Sequence, residues 1–408
     1  MKTILVFISL IFCSQLGYSQ FRLGNDKLIH ENLDLIKNKR IGIVANHTSV
    51  LSNGEHIVDY LFQKNIKIVA VFGPEHGFRG DAPAGEKIET TIDEKTGITI
   101  YSLYGKINKP TSEMLKGIEI MIFDIQDVGA RFYTYISTLY LVMEACAENN
   151  IPLIVCDRPN PLNGELVDGP VLQENLISFV GIAPMPVQHG LTIVELAKFY
   201  EDVILQKRKI KPDIIVFTME GWKRSNYYDQ INLSWIKPSP NIVNLETAIV
   251  YPGTCFLEAT NVSEGRGTYE PFLTFGAPFI NSQVLIDELK KYNFPIELNE
   301  IKFIPVDLEG MVKNPKYKNQ VCNGVKIKVT NREKFEPVKF GLALLVTLKM
   351  LYPNDFKIYK QRMNLLIGDG KITDLIESGA NFEQVASAYQ AELDEFKNKR
   401  NKYLLYNN

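Results

Sequence analysis

The sequence predicts an α/β protein: a Rossmann-like parallel-sheet domain followed by a second, smaller C-terminal α+β domain. Three observations carry that expectation. Short β-branched runs recur at Arg40–Ala45, Ile66–Phe72, Ile98–Tyr101, Ile118–Phe123 and Ile151–Cys156, and each is apolar almost throughout. Helical patterns lie between several of them, and continuous apolar strands alternating with helices describe a parallel sheet covered on both faces. After about residue 250 the texture changes, with Gly and Pro punctuating Tyr251 to Pro278 and shorter, less regular segments following.

The elements are justified in chain order. Met1-Lys2-Thr3 carries a positive charge, Ile4 to Phe12 is apolar apart from Ser9, and Gly17-Tyr18-Ser19 offers a cleavage site before Gln20. Residues 1–19 therefore read as a secretory signal peptide, too short to span a bilayer stably. The expected mature protein is periplasmic or secreted, with no stable membrane insertion. Ser52-Asn53-Gly54-Glu55 reads as a capping box opening a helix through Tyr60 and Leu61, and Thr192 with Glu195 as another opening a helix through Leu205. His56 is then expected on a helix surface. Phe382, Val385, Ala386, Tyr389, Leu393 and Phe396 fall at helical spacing, a stripe expected to pack within its own domain. The domain expectation is residues 20–250 and 251–408.

Composition narrows the function. The chain has 408 residues, room for two domains, with 45% hydrophobic and 23% charged residues, the balance of an ordinary globular protein. A formal net charge of −2 without a basic block gives a nucleic-acid partner no electrostatic support. Cys146, Cys156, Cys255 and Cys322 form no C-x-x-C pair, and Cys146 and Cys156 sit in apolar surroundings. No cofactor signature appears: Gly73 to Gly80 lacks dinucleotide spacing and places Glu75 where an anion would need donors.

Chemistry gathers where the strands end, as it does in open parallel sheets. The first strand exits into Asn46-His47-Thr48, the second into Gly73-Pro74-Glu75-His76-Gly77-Phe78-Arg79-Gly80. The fourth exits into Asp124 to Arg131, the fifth into Asp157-Arg158-Pro159-Asn160-Pro161, and Gln188-His189-Gly190 follows later. Five exits loaded with Glu, Asp, His, Asn and Arg predict a polar pocket. Glu75 stands out because glycines flank it and a linker of roughly 25 residues follows, a length commonly functional inside compact domains. It is the candidate general acid for protonating a leaving oxygen; the competing reading is a helix-capping carboxylate or a pair with Arg79. His47, His76 and His189 with Asp124, Asp127 or Asp157 raise a hydrolytic metal site, but no H-x-H or H-E-x-x-H spacing backs it. Asp124 and Asp127 also suit anchors for loop amides, and Tyr133 is either core or a sugar-stacking rim. Glu264-Gly265-Arg266-Gly267 reads either as a binding loop or as a tight turn with an ion pair.

Taken together, Gly73–Gly80, Phe123–Tyr135, Asp157–Pro161, Gln188–Thr192, Pro238–Asn241, Glu258–Thr268 and the closing Tyr403–Tyr406 resemble the ordered motifs of the NamZ/YbbC-like exo-β-N-acetylmuramidase family. The resemblance spans nearly the whole mature chain. It implies a peptidoglycan glycoside hydrolase that releases terminal N-acetylmuramic acid from non-reducing ends, needs no cofactor or metal, and works in a cleft completed by the C-terminal domain. It also implies catalysis by Glu75; the second group is open between a carboxyl, with Asp127 as the candidate beside Asp124, Glu258 and Glu264, and the substrate's own acetamido group. Substrate contacts are expected from Asn46, His76, Arg79, Asp124, Arg131, Tyr133, Asp157, Arg158, His189, Asn241, Glu264 and Arg266. A guanidinium suits the lactyl carboxylate of muramic acid, which points to Arg131 or Arg266, with Arg79 in reserve. The alternatives are a metal-dependent amidase or esterase acting on cell-wall material, and a non-catalytic glycan-binding protein.

Overall fold

The computed structural model describes residues 21–80 and 90–407. Residues 1–19, read from the sequence as a signal peptide, and residues 81–89 of the long linker lie outside the described residues. The first domain runs α1 (Gly24–Glu31), β1 (Arg40–Ala45), α2 (Ile57–Gln63), β2 (Lys67–Gly73), β3 (Thr91–Ile92), β4 (Thr99–Ser102), β5 (Ile120–Asp124), α3 (Tyr135–Glu148), β6 (Leu153–Cys156), α4 (Ile193–Tyr200) and β7 (Ile214–Phe217). Its strands form a seven-stranded sheet in the order β3-β4-β2-β1-β5-β6-β7, parallel except for the β3–β4 edge. The chain builds outward from β1 on one side and then returns to add β5, β6 and β7 on the other. The strand order therefore reverses beside β1, where open sheets place their ligands.

The apolar runs are explained by double-sided burial. Ile41, Ile43 and Ala45 of β1, with Ile120 and Ile122 of β5, point into the core under α1 and α2. Val44, Met121 and Phe123 point the other way, into a larger core shared with α3 and α4. A period of two with both faces covered leaves no polar position within a strand.

The second domain follows as α5 (Leu245–Thr254), β8 (Thr274–Ala277), α6 (Ser282–Lys290), β9 (Ile296–Phe303), β10 (Cys322–Val329), α7 (Pro337–Leu351), α8 (Lys360–Ile367), α9 (Gly370–Glu377), α10 (Phe382–Ser387) and α11 (Gln390–Arg400). Its sheet is antiparallel, in the order β8-β10-β9. Position 250 falls inside α5, so a helix and not a loop passes between the two parts. That helix crosses α7 at Gly253 and Gly341; a Cβ on Gly253 would lie 1.9 Å from the Pro337 carbonyl oxygen, so only glycine permits the approach.

Two local expectations are corrected. Ser52 does not cap a helix. Its hydroxyl and amide go to the Asp26 carboxylate, and α2 starts five residues later. His56 is the N-cap of α2, its Nδ1 accepting from the Val58 amide and its Nε2–H donating to the Asn46 carbonyl. Thr192 and Glu195 do form the expected capping box, and the helix continues through a π-turn, Glu201–Leu205. The C-terminal stripe also departs from expectation, because it bridges the domains. Phe382 packs on Tyr292, while Phe396 packs on Phe199 and the Tyr389 hydroxyl donates to Asp168. Beyond it the tail returns to the first domain, with the Leu405 amide on Glu195 and the Tyr406 hydroxyl on Asp157.

Candidate active site

A cavity of about 500 Å³ opens between the two domains, within the range of small-molecule sites. The first domain contributes Glu75 and His76 from the loop after β2, Tyr104 after β4, and Phe132, Tyr133 and Thr134 from the loop that runs from β5 into α3. The second contributes Tyr251, Glu258, Glu264, Arg266 and Phe272, then Lys313, Lys316, Arg362 and Leu366.

Glu75 owes its position to a tight reversal. The Gly77 amide donates to the Pro74 carbonyl, and His76 and Gly77 both have positive φ. The half-buried Glu75 carboxylate accepts from the Thr134 hydroxyl at 2.8 Å. The Tyr104 hydroxyl also bonds to it, and burial together with the Glu75 charge pushes that phenol well above its ordinary range. Opposite these hydroxyls lies an ionic chain. Arg362 donates to Glu258 at 2.9 Å, Arg266 joins Glu258 at 2.8 Å to Glu264 at 3.4 Å, and Lys316 donates to Glu264 at 2.9 Å. Burial favours a neutral Glu258, but Arg266 and Arg362 outweigh it and hold the carboxyl below its ordinary range. The cavity thus sets a carboxyl among hydroxyls against a carboxylate, Glu258, that its cations keep ionised. Differing environments of this kind let two carboxyl groups take different roles.

A family model described as exo-beta-N-acetylmuramidase NamZ, N-terminal, matches residues 41–246, and its C-terminal counterpart matches residues 249–406. The chain belongs to the NamZ family. It is 44% identical over 386 residues to the peptidoglycan beta-N-acetylmuramidase NamZ of Bacillus subtilis, covering 94% of this chain and 91% of that one. Two crystal structures of DUF1343 family proteins from Bacteroides fragilis share its fold. One has a TM-score of 0.86 at 32% identity, covering 95% of this chain and 99% of the other; the second has 0.78 at 33%, covering 96% and 100%.

Within this NamZ-family fold, the residues singled out in the sequence divide in two. Glu75, His76, Tyr133, Glu264 and Arg266 line the cavity, and so does Glu258. The others do not line it. Arg158 makes a buried two-pronged ion pair with Asp124, 2.6 and 2.9 Å, and Asn25 adds a third bond to that carboxylate. Asp157 accepts from the Arg158 and Val194 amides and from the Thr192 and Tyr406 hydroxyls, anchoring α4 and the tail. Arg131 is fully buried and donates to the carbonyls of Pro170, Met185 and Leu366. Arg79 is committed to Asp59 and Asp93. Asn46 accepts from Thr48, and Asn241 donates to the Met311 carbonyl, bracing the wall without lining it. His189 is buried, its Nδ1 accepting from the Leu191 amide, and burial with the charges of Arg400 and Arg131 lowers its pKa to about 3. Among the described residues no three His, Cys, Asp or Glu side chains gather as a metal-holding group. Cys146, Cys156, Cys255 and Cys322 are buried thiols.

Asp127, the second carboxyl expected from sequence, is also inside the protein. One oxygen accepts from the Gly129 amide at 2.7 Å and lies 3.9 Å from His189 Nε2. Burial pushes this carboxyl up to about 7, against the pull of the Gly129 and Val128 amides. Its native pKa is thus above the unfolded value near 3.9, so between about 4 and 7 the native state holds a proton that the unfolded chain has lost. Its contribution to stability is full below about pH 4 and declines as pH rises towards 7. Asp127→Asn removes that slope. Compared with wild type in denaturant titrations, the variant should gain stability as pH rises from 5 to 8, by up to about 2.7 kcal/mol, two pH units at about 1.36 kcal/mol each. Asp157, also pushed up to about 7, keeps its own slope in both proteins and cancels in the difference. A pH-independent difference would show that Asp127 stays ionised in the native state.

Residues missed in the sequence include Tyr104, Thr134, Lys313, Lys316 and Arg362. Thr134 carried a signal, since it stands inside the Phe123–Tyr135 motif. Arg362, in an unremarkable amphipathic helix, carried none.

Proposed function

We infer that this protein is an exo-acting β-N-acetylmuramidase, hydrolysing terminal non-reducing N-acetylmuramic acid from peptidoglycan fragments. Family membership supplies the reaction class. The observation that carries it to this chain is Glu75 in the interdomain cavity, bonded to hydroxyls and faced by the salt-bridged Glu258–Arg266–Glu264 chain. Glu75 donates a proton to the glycosidic oxygen. The carboxylates across the cavity stabilise positive charge developing on the sugar ring, as paired carboxyls do in glycosidases. Glu258 takes the part that the sequence had offered to Asp127. A cavity that holds cations as well as acids also suits a sugar bearing a carboxylate.

The test is mass analysis of products from two defined disaccharides, one capped by muramic acid and one by N-acetylglucosamine. Release of muramic acid from the first, with the second left intact, is the expected result. Equal turnover of both removes the specificity. Binding without cleavage leaves a glycan-binding protein, and activity abolished by a chelator returns the metal-dependent amidase or esterase.

The proposed place of action is the periplasm or the cell exterior, where peptidoglycan lies. It rests on the charged start, the short apolar core and Gly17-Tyr18-Ser19 before Gln20. Among the described residues no helix is long and apolar enough to cross a membrane. N-terminal sequencing of protein recovered from the cell envelope should begin near Gln20; a full-length cytosolic product contradicts export.

A further inference from the structure

The cavity cations differ in how much of their bonding capacity the protein itself consumes. Lys316 donates to the carbonyls of Leu257 and Val262 at 2.7 and 3.0 Å and to Glu264 at 2.9 Å. An ammonium has three N–H groups, so Lys316 is saturated. Arg266 is held between Glu258 and Glu264, with its guanidinium 5.2 Å from the centre of the Phe272 ring. Both cations are spent on the cavity's own glutamates and backbone carbonyls.

Arg362 is different. It projects from α8, its side chain remains 59% exposed while lining the cavity, and one Nη donates to Glu258 at 2.9 Å. A guanidinium carries five N–H donors in a planar fork, so the contact with Glu258 leaves an edge able to grip a second carboxylate. The support beneath it is rigid. The last turn of α8 is tied to the first domain through the bond from Arg131 to the Leu366 carbonyl. Gly368 at positive φ ends the helix so close to that guanidinium that a Cβ there would lie 2.6 Å from it. Arg131 therefore does not touch the cavity but fixes the helix that carries Arg362.

We propose that Arg362 is the specificity residue that reads the lactyl carboxylate of the terminal muramic acid, an inference that rests on the muramidase reading above. The contact with Glu258 orients the fork and leaves its remaining donors to the substrate. Arg362→Lys keeps the charge and loses the fork.

The experiment compares kcat/KM for an aryl β-muramide and for the same glycoside with its lactyl carboxyl converted to the neutral amide. It uses wild type, Arg362→Ala, Arg362→Lys and Lys313→Ala, each checked for folding by circular dichroism. Wild type should prefer the acid by about 10–100-fold, the scale of a charge-assisted hydrogen bond. Arg362→Ala should bring the preference close to one, and Arg362→Lys should leave it between. If Arg362→Ala lowers both substrates equally and keeps the preference, Arg362 acts only through Glu258 and the proposal fails. It fails too if Lys313→Ala, and not Arg362→Ala, abolishes the preference. Wild type that cleaves neither glycoside overturns the muramidase reading itself, a result distinct from retained discrimination.

Discussion

Glu75→Gln is expected to lower hydrolysis of a muramic-acid-capped disaccharide by about 10²–10⁴-fold, the usual worth of general acid catalysis. The substitution keeps the shape and the acceptor for the Thr134 hydroxyl, so the loop after β2 should hold its conformation. What disappears is the transferable proton. An aryl glycoside with a good leaving group needs little protonation, so the variant should keep far more of its activity on that substrate than on the disaccharide. Steady-state kinetics on both, with circular dichroism to confirm folding, makes the comparison. Near wild-type rates on both would remove Glu75 from the chemistry. Equal losses on both would recast it as a nucleophile or a positioning group.

Arg131→Met should destabilise the protein by at least about 2 kcal/mol, roughly 1–3 kcal/mol for each of two buried carbonyls left without a donor. The arginine is 0% exposed and its guanidinium is compensated by three carbonyls, from Pro170, Met185 and Leu366. Burial lowers its pKa to about 9, which still leaves it charged at neutral pH, and the carbonyl dipoles meet three of its N–H groups. Methionine fills much of the space but leaves the Pro170 and Leu366 carbonyls without the donor Arg131 supplied, while the Met185 carbonyl keeps the Leu172 amide. Denaturant unfolding monitored by fluorescence gives the loss directly. A loss below about 1 kcal/mol would mean that the carbonyls find other donors and that Arg131 is no keystone. The expectation from sequence, a lactyl-binding Arg131, would instead have left stability intact and weakened substrate binding.

These two residues illustrate different kinds of legibility. Glu75 announced itself because a strand end, two flanking glycines and a long linker are all local. Arg131 sits in an equally conspicuous motif, Asp127-Val-Gly-Ala-Arg131, and the motif says nothing about which way its side chains face. The answer lies in Leu366, more than two hundred residues further on. The same holds for Ser52, whose apparent capping box is overridden by Asp26, a tertiary partner that takes both its hydroxyl and its amide. β3 escaped notice for a simpler reason: two exposed residues long, it has no apolar run to mark it. The overlooked β7, Ile214-Ile215-Val216-Phe217, carries a run as long as that of β6 and was there to be read.

The sequence by itself determined the alternation of strands and helices, because burial on both faces of a parallel sheet demands apolar residues at every strand position. It determined the change of texture near residue 250 and the ordered motifs of the NamZ family, and it marked Glu75. Only the tertiary structure decided which charged side chains meet the cavity. Asp124, Arg158, Asp157 and Arg131 are needed inside to satisfy strand-end loops and helix termini that would otherwise be buried without partners. Once they are so used, the cations left facing the cavity come from the second domain. Arg362 is among them, placed there by a helix whose own sequence gives no hint of it, because a helix is brought to a site by what it packs against and not by the residues it presents.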